Sequence, residues 1–554
     1  MRLRYNLTGV LIGPHLGVDI VRQFHTLKKQ CPNWKSAVSY QIIINTYSIT
    51  CIAPHIFFFL YFRLIVLRYR KLSGTTLAQP KPFKSIPGLK SLPITGPLHN
   101  FLPIIGEIGP KTNMFDIMGV FREKYGSVVR MDAAFARGPM VILFEPDDIQ
   151  QVYRVEEANP LRPGFQVLTY YREVLRKSTF QGVNGTITAQ GEEWKEFRSK
   201  VNPAMLKPKI IKLYTPGLVE IATDMINRLI RIKDDEDYLK WNLDTEMTKF
   251  SLESVALVAL GTRIGCLKED IPEDHPARKL MNSTKVIFEM SYNLEIKPSP
   301  WKYFATPSYN KIIKAYDTHW EVSTMYINKA QKELKERGYD IPDEDKSILE
   351  KLLAVDEKVA IMMATEMMLA GIDTVAFVLT IILYHLAINP KVQDKLRAEI
   401  RSSPESGSKY FKACLKEALR IYHVVPANLR RTSREHVVAG YHIPEGVDVI
   451  APNEFLSRMD KYFPRANEYI PERWIVDKDH PLYYGNAHPM VYLPFGFGLR
   501  SCIGRRIAKL EMEILMIKLI DQLKVKWEGP PIKIVNKLTN VIAKPYYFKF
   551  ESAR

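Results

Sequence analysis

The sequence predicts a mainly α protein with a small β-rich part. Apolar residues recur at helical spacing over long stretches, at 215–233, 245–261, 309–337, 356–388, 390–402 and 408–422. Turns and short alternating strands crowd the C-terminal part, as in VVAGYHIPEGVDVI. No internal repeat divides the chain.

The elements follow in order. Asn113 to Tyr125 and Asp147 to Glu157 read as short helices around a strand pair, SVVRMD and GPMVILFE. Residues 158–190 are rich in Pro, Gly, Thr and aromatics and read as loop. Gly191 to Met205 is helical, and the long amphipathic stretches come after it. The run GRRIAKLEMEILMIKLI is a further helix near the C-terminus.

The chain has 554 residues, more than the roughly 250–300 that one core usually serves, so length alone suggests two or three domains. Hydrophobic residues make up 46% and charged ones 25%, the balance of a core-forming protein. The cysteines, at 31, 51, 266, 414 and 502, form no C-x-x-C pair. That spacing argues against a zinc site and a disulfide scaffold, and a reducing compartment fits better. The net charge of +18 suits an anionic membrane surface or an acidic partner. Without a basic low-complexity tract or zinc-finger spacing, nucleic acid is not expected.

Up to Gly106 the only acidic residue is Asp19, a composition of mitochondrial targeting segments. The apolar run ITCIAPHIFFFLYF, Ile49 to Phe62, extended to Leu67, approaches the ~20 residues that span a bilayer. Pro54, His55 and Arg63 interrupt it, and Arg63, Arg68, Arg70 and Lys71 flank it as a positive-inside cluster would. Residues 1–80 therefore read as a targeting or membrane-associated segment. Mitochondrial import, a microsomal anchor and an extension with no address are the three readings. A proline-rich hinge, KPFKSIPGLKSLPITGP, leads into the globular body at 81–554.

Phe495 to Gly504 reads FGFGLRSCIG and fits F-x-x-G-x-R-x-C-x-G at each fixed position. At average residue usage such a match arises by chance in roughly one chain of this length in several thousand. Cys502 opens the helical run after it, where the positive end of the helix dipole lowers a thiol's pKa. Gly498 permits positive φ and leaves N–H groups near the sulfur. Gly504 permits close approach of a flat macrocycle, Arg500 suits a propionate, and Phe495 shields the sulfur. The chemistry is that of a thiolate on haem iron.

On these residues the chain resembles the cytochrome P450 family. The resemblance covers roughly residues 85 to 550. It implies one large helical domain with a small β-rich subdomain, haem b (iron-protoporphyrin IX) held through Cys502, and a monooxygenase. Such an enzyme inserts one atom of O2 into a small lipophilic substrate, and a thiolate ligand favours O–O cleavage. A microsomal monooxygenase fed by a flavoprotein reductase and a non-catalytic haem sensor are the alternatives.

Further motifs acquire roles through this resemblance. Glu417 and Arg420, three apart in FKACLKEALRIY, share a helical face. With Arg473 of PERW they match the family's Glu–Arg–Arg cluster, a structural lock for the cysteine loop. AGIDT, Ala370 to Thr374, matches the segment that crosses the haem, with Thr374 holding dioxygen and a water and Asp373 feeding protons. Trp194 and Arg198 match the W-x-x-x-R of the propionate helix. Arg430 is placed as a second propionate arginine by its offset from Tyr441, although Arg431 adjoins it. Apolar stretches at 160–190, 280–300, Met368 to Ala370 and Val424 to Asn428 are expected to line the pocket. Steroids, fatty acids and foreign lipophiles all suit such a pocket.

Lys412 and Lys416 form K-x-x-x-K on one face. Mitochondrial family members use such a pair to dock an acidic ferredoxin, itself reduced by its reductase. Arg505, Arg506, GEEWKEFRSKVNP and PANLR are similar to the same subgroup, in its insect members. That implies the matrix side of the mitochondrial inner membrane, with the endoplasmic reticulum as the alternative. The chain also departs from the pattern. Only SSPESGSKY separates the helix ending near Ile400 from the one holding Glu417, His423 replaces a usual proline, and Val375 replaces a frequent second threonine.

Overall fold

The computed structural model describes residues 79–553 apart from 93–94, 104–105, 110–112, 133–137, 157–159, 240–241, 269–270, 339–341 and 403–407. Residues 1–78, with the apolar run at 49–67 and its basic flank, lie outside the described residues, as does most of the link after Ser402. Pro80–Arg554 forms one unit by its contacts, and the account below concerns that unit.

Eleven helices of ten or more residues carry the described fold. They are α1 (Met114–Tyr125), α2 (Pro146–Val155), α3 (Gly191–Leu206), α4 (Thr215–Ile232), α5 (Leu243–Leu260) and α6 (Pro276–Ser291). After them come α7 (Pro307–Arg337), α8 (Glu357–Ile388), α9 (Pro390–Ser402), α10 (Lys409–Ile421) and α11 (Arg505–Gln522). Most start on local signals. Asn113 caps α1 through Phe115 N–H, Asp356 caps α8 through the N–H groups of Lys358 and Val359, and proline opens α2, α6, α7 and α9.

Helix α8 organises the interior. Its best 18-residue window has a mean hydropathy of 2.0, enough to span a bilayer, yet 78% of that window is buried in protein. It is the core helix of the fold, apolar on all sides because helices surround it. Gly371 lets α8 and α5 approach closely, since a β-carbon there would lie 2.7 Å from the Val255 side chain.

The β-rich part is small, as expected. β1 (Val128–Met131), β2 (Met140–Leu143), β3 (Asn428–Arg431) and β6 (Asp448–Ala451) form one sheet in the order β1-β2-β6-β3. β2 pairs parallel with β6, and the other two pairings are antiparallel. This sheet brings the segment before α2 against the one after α10, and a second apolar cluster forms around it. The hairpin β4 (His436–Val438) and β5 (Tyr441–Ile443) has Ala439 and Gly440 at positive φ in its turn, the geometry that two-residue hairpins require. Two more pairs of strands close the chain: β7 (Leu523–Trp527) with β10 (Phe548–Ser552), and β8 (Ile534–Asn536) with β9 (Asn540–Ile542), both antiparallel.

The structure corrects the sequence reading at two places. The segment read as loop at 158–190 contains short helical turns, at Gln166–Tyr170, Tyr171–Leu175, Lys177–Phe180 and Gly185–Thr188. Helix α6 is also absent from that reading. Its sequence, PARKLMNSTKVIFEMS, carries Asn282, Ser283 and Thr284 mid-helix, residues of low helix propensity that tertiary packing overrides.

Candidate active site

The cysteine loop is shaped by two glycines at positive φ, Gly496 at 75° and Gly498 at 63°, followed by a single turn, Gly498–Arg500. The Cys502 N–H donates to the Phe495 carbonyl at 2.8 Å and closes the loop. The Cys502 thiol is open on one side, unlike the buried Cys266 and Cys414. A β-carbon on Gly504 would meet only the Cys502 sulfur, at 4.0 Å, so the backbone beside the thiol is unobstructed.

The thiol departs from the expected titration. Helix α11 starts at Arg505, three residues after Cys502, and not at the cysteine itself. Burial pushes the thiol above its ordinary value, while the Gly504 N–H, Arg198, Arg162 and Arg505 pull it down. A bound metal ion would supply the charge that holds this sulfur as thiolate.

Helix α8 presents an opening in an otherwise buried run. Met368 and Leu369 are packed into the core, against the expectation that they line a pocket, and Ala370 is exposed next to the buried Leu369. The Thr374 hydroxyl donates to the Ala370 carbonyl at 2.7 Å, which offers that carbonyl a partner other than the helical N–H. Asp373, one residue before, borders a cavity of about 1310 Å³ that Lys285, Asp244 and Tyr546 also line. Burial first, with the nearby Asp244 charge, raises the Asp373 carboxyl to about 6 against the pull of Lys285.

Four arginines converge near the cysteine loop. Arg198 donates to the Ser501 carbonyl at 2.9 Å and keeps a buried Nε without a protein partner. Arg430 donates to the Phe497 carbonyl at 3.0 Å and lies 5.2 Å from the Tyr153 ring centroid. Arg431 turns away to pair with Asp448 at 2.7 and 3.0 Å, which separates the two adjacent candidates. Arg500 stacks on Trp194 at 4.2 Å and makes four hydrogen bonds, to the carbonyls of Pro160, Thr186 and Ala189 and to the Gln190 side chain. Its donors are thus largely spent on the 160–190 segment.

Arg162 is the fourth arginine, and no motif pointed to it. Burial and then the like charges of Arg162, Arg430 and Arg198 bring Arg500 down to about 8. Burial and Arg430 bring Arg162 to about 10. Cations crowded in this way fit a bound group that carries two carboxylates. The nearby carboxylate Glu366 of α8 is already engaged. It pairs with Arg172 at 2.8 Å and accepts from the Thr186 N–H and hydroxyl at 2.7 and 2.6 Å. Gly185, at φ 75°, sits against it, where a β-carbon would lie 2.3 Å from the carboxylate. Glu366 and Arg172 also escaped the sequence reading, because an acid in an apolar helix shows nothing of its distant partner.

Behind the loop, Glu417 meets both expected arginines. It accepts from Arg420 at 2.9 and 2.8 Å, from Arg473 at 2.8 Å, and from the Trp474 indole and Ile470 N–H at 2.9 and 3.1 Å. Glu417, Arg420 and Arg473 are fully buried. Arg420 further donates to the carbonyls of Ser457, Ala466 and Glu468, and Arg473 to those of Pro464 and Arg465. Lys412 is exposed and pairs with Glu513 of α11 at 3.3 Å. Lys416 lies over the rings of Trp474 and Tyr484 at 5.4 and 5.6 Å.

No three His, Cys, Asp or Glu side chains cluster to hold a metal ion among the described residues. An iron bound at a single cysteine must then bring its remaining ligands with it, as a porphyrin does. An open thiol, an opened core helix and an arginine cluster with an unspent N–H fit haem. This fold and this site define a haem-thiolate class.

Comparison with known proteins gives the family. The cytochrome P450 family model matches residues 87–550. Cytochrome P450 CYP12A2 of Musca domestica is 34% identical over 498 residues, covering 85% of this chain and 91% of its own length. Probable cytochrome P450 12b2, mitochondrial, of Drosophila melanogaster is 35% identical, covering 81% and 85%. Probable cytochrome P450 301a1, mitochondrial, from the same fly is 32% identical, covering 81% and 84%. The chain belongs to the cytochrome P450 family, and it is a haem-dependent monooxygenase.

Proposed function

We propose that this protein is a mitochondrial monooxygenase that takes electrons from an acidic ferredoxin and oxygenates a small lipophilic substrate. The observation that carries the choice of donor is the basic face of α10 beside the cysteine loop, with Lys412 exposed and Lys416 laid on Trp474. Several relatives named as mitochondrial support it, and so does the +18 charge, which steers acidic partners. The protein would work at the matrix side of the inner membrane, against the membrane surface.

The haem supplies the redox chemistry that splits O2. In this reading Cys502 is the iron ligand and Phe495 covers it. The glycines Gly498 and Gly504 shape the loop and clear the approach. Arg198 and Arg430 would face the propionates, and Arg500, stacked on Trp194 with most of its donors held by the 160–190 segment, would add its charge beside them. Two protons must reach the distal side in each cycle. Asp373 would take them from the cavity beside α8 and pass them on, and the Thr374 hydroxyl would position the last one. Its lone pairs remain available while its proton binds the Ala370 carbonyl. Glu417, Arg420 and Arg473 hold the segment that leads into the cysteine loop.

Reconstitution tests this reading. Purified holoenzyme is supplied either with a mitochondrial ferredoxin and its reductase or with a microsomal flavoprotein reductase. Reduction of the haem by the first system supports the reading. Reduction by the second alone contradicts it and favours a microsomal enzyme.

A further inference from the structure

Helix α11 carries a basic residue that no motif singled out. Lys509 places its ammonium 5.3 Å from the centroid of the Phe495 ring. The Phe495 carbonyl accepts the Cys502 N–H, so this ammonium stands one ring away from the backbone of the cysteine loop. Arg505 stands four residues before Lys509 on α11, on the same helical face, and burial and then the charges of Arg505 and Lys416 hold Lys509 below the usual lysine range. None of Lys416, Arg505 and Lys509 forms an ion pair among the described residues. Lys412 differs, because Glu513 sits 3.3 Å from it and is only 18% exposed. The pair Lys412–Glu513 contributes no net charge to the face.

Three neighbouring cations that form no ion pair among the described residues repel one another, and an anionic surface that docks there relieves that repulsion. Their order favours docking too. Lys509 rests on Phe495 and Lys416 on Trp474 and Tyr484, so each side chain is partly fixed before a partner arrives. We propose that Lys509, with Lys416 and Arg505, is the principal contact for a carboxylate-rich face of the donor ferredoxin, and that Lys412 is secondary because Glu513 neutralises it. This inference rests on the ferredoxin reading above. The step it serves moves one electron from the reduced iron–sulfur cluster to the ferric iron, with no bond made or broken between the proteins.

The test uses full-length holoenzyme and a recombinant insect mitochondrial [2Fe–2S] ferredoxin kept reduced by its reductase and NADPH. Two quantities are read: the ferredoxin dissociation constant and the second-order rate of haem reduction under carbon monoxide. At low salt Lys509→Glu should lower the rate about tenfold or more and weaken its dependence on salt. Lys412→Glu should cost less than Lys509→Glu, and Glu513→Gln should tighten binding by freeing Lys412. Reduction by dithionite should be equal in all variants. If Lys509→Glu loads haem poorly, Lys509→Gln keeps the side-chain stem over Phe495 without the charge, and it should still weaken binding. Equal binding and rates for wild type and the Lys509 variants, or a larger loss from Lys412→Glu, would overturn the inference alone. A wild-type enzyme that ferredoxin does not reduce would remove the ferredoxin reading and this inference with it.

Discussion

The Arg473 guanidinium donates to the Glu417 carboxylate at 2.8 Å, across 56 positions of sequence and with neither side chain exposed. The same carboxylate accepts from Arg420 three residues on, so one anion faces two cations. Burial weakens the Arg473 charge and Glu417 restores it. The cluster ties α10 to the PERW turn, and the turn precedes the cysteine loop.

Glu417→Ala should therefore leave two buried guanidinium groups without their carboxylate. The cost is about 3–5 kcal/mol. Little haem-loaded protein should accumulate, and its melting temperature should fall. Wild-type haem content and melting would show that the cluster carries no such load.

Thr374→Ala removes a hydroxyl whose proton binds the Ala370 carbonyl. The stability cost is small, about 1 kcal/mol, since the helix is continuous through this segment and the carbonyl still has a helical N–H beside it. Haem and substrate binding should persist while electrons drain into peroxide. Product formed per NADPH consumed checks this, and an unchanged ratio would remove Thr374 from proton delivery.

Asp373 has a pH signature. Its carboxyl is raised to about 6, chiefly by burial, with Asp244 adding to the rise and Lys285 opposing it. The folded protein holds this proton more tightly than the unfolded chain, so the group favours folding at low pH. That contribution is lost as pH rises from about 4 through about 6. Proton delivery should weaken over the upper part of the same window. Asp373→Asn should flatten the pH profile of coupling near 6 and stabilise the protein more at pH 7.5 than at pH 4. Matching profiles for wild type and variant would contradict the assignment.

Glu366→Ala should strand Arg172 in the core and release the segment 184–190 that both Glu366 and Arg500 hold. The cost is again about 3–5 kcal/mol. Protease cleavage should appear first within this segment. Cleavage at the wild-type rate would show that the pair is not what anchors it.

Much of the scaffold was legible because its signals are local. The apolar period of 356–388 and Asp356 before it define α8, and alternation with an Ala-Gly turn defines the β4–β5 hairpin. The cysteine motif was legible because its residues are contiguous. Arg162, Arg172 and Glu366 were not, since each has meaning only through a partner far along the chain. Lys412 was legible as a charge but not as a neutralised one, because Glu513 reaches it from another helix. His423, read as a departure from a usual proline, is fully buried with both ring nitrogens unpartnered and is pushed down to about 3 by burial and Arg420. It is a neutral packing residue at the end of α10.

The central claim is that Cys502 is the thiolate on the haem iron. The most direct measurement is the carbon monoxide difference spectrum of the reduced protein, for wild type and Cys502→Ser. Wild type should give the red-shifted Soret band of a thiolate-ligated complex, and the serine variant should lack it, because a hydroxyl cannot supply thiolate electron density. The same red-shifted band in Cys502→Ser, or its absence from haem-loaded wild type, would contradict the account.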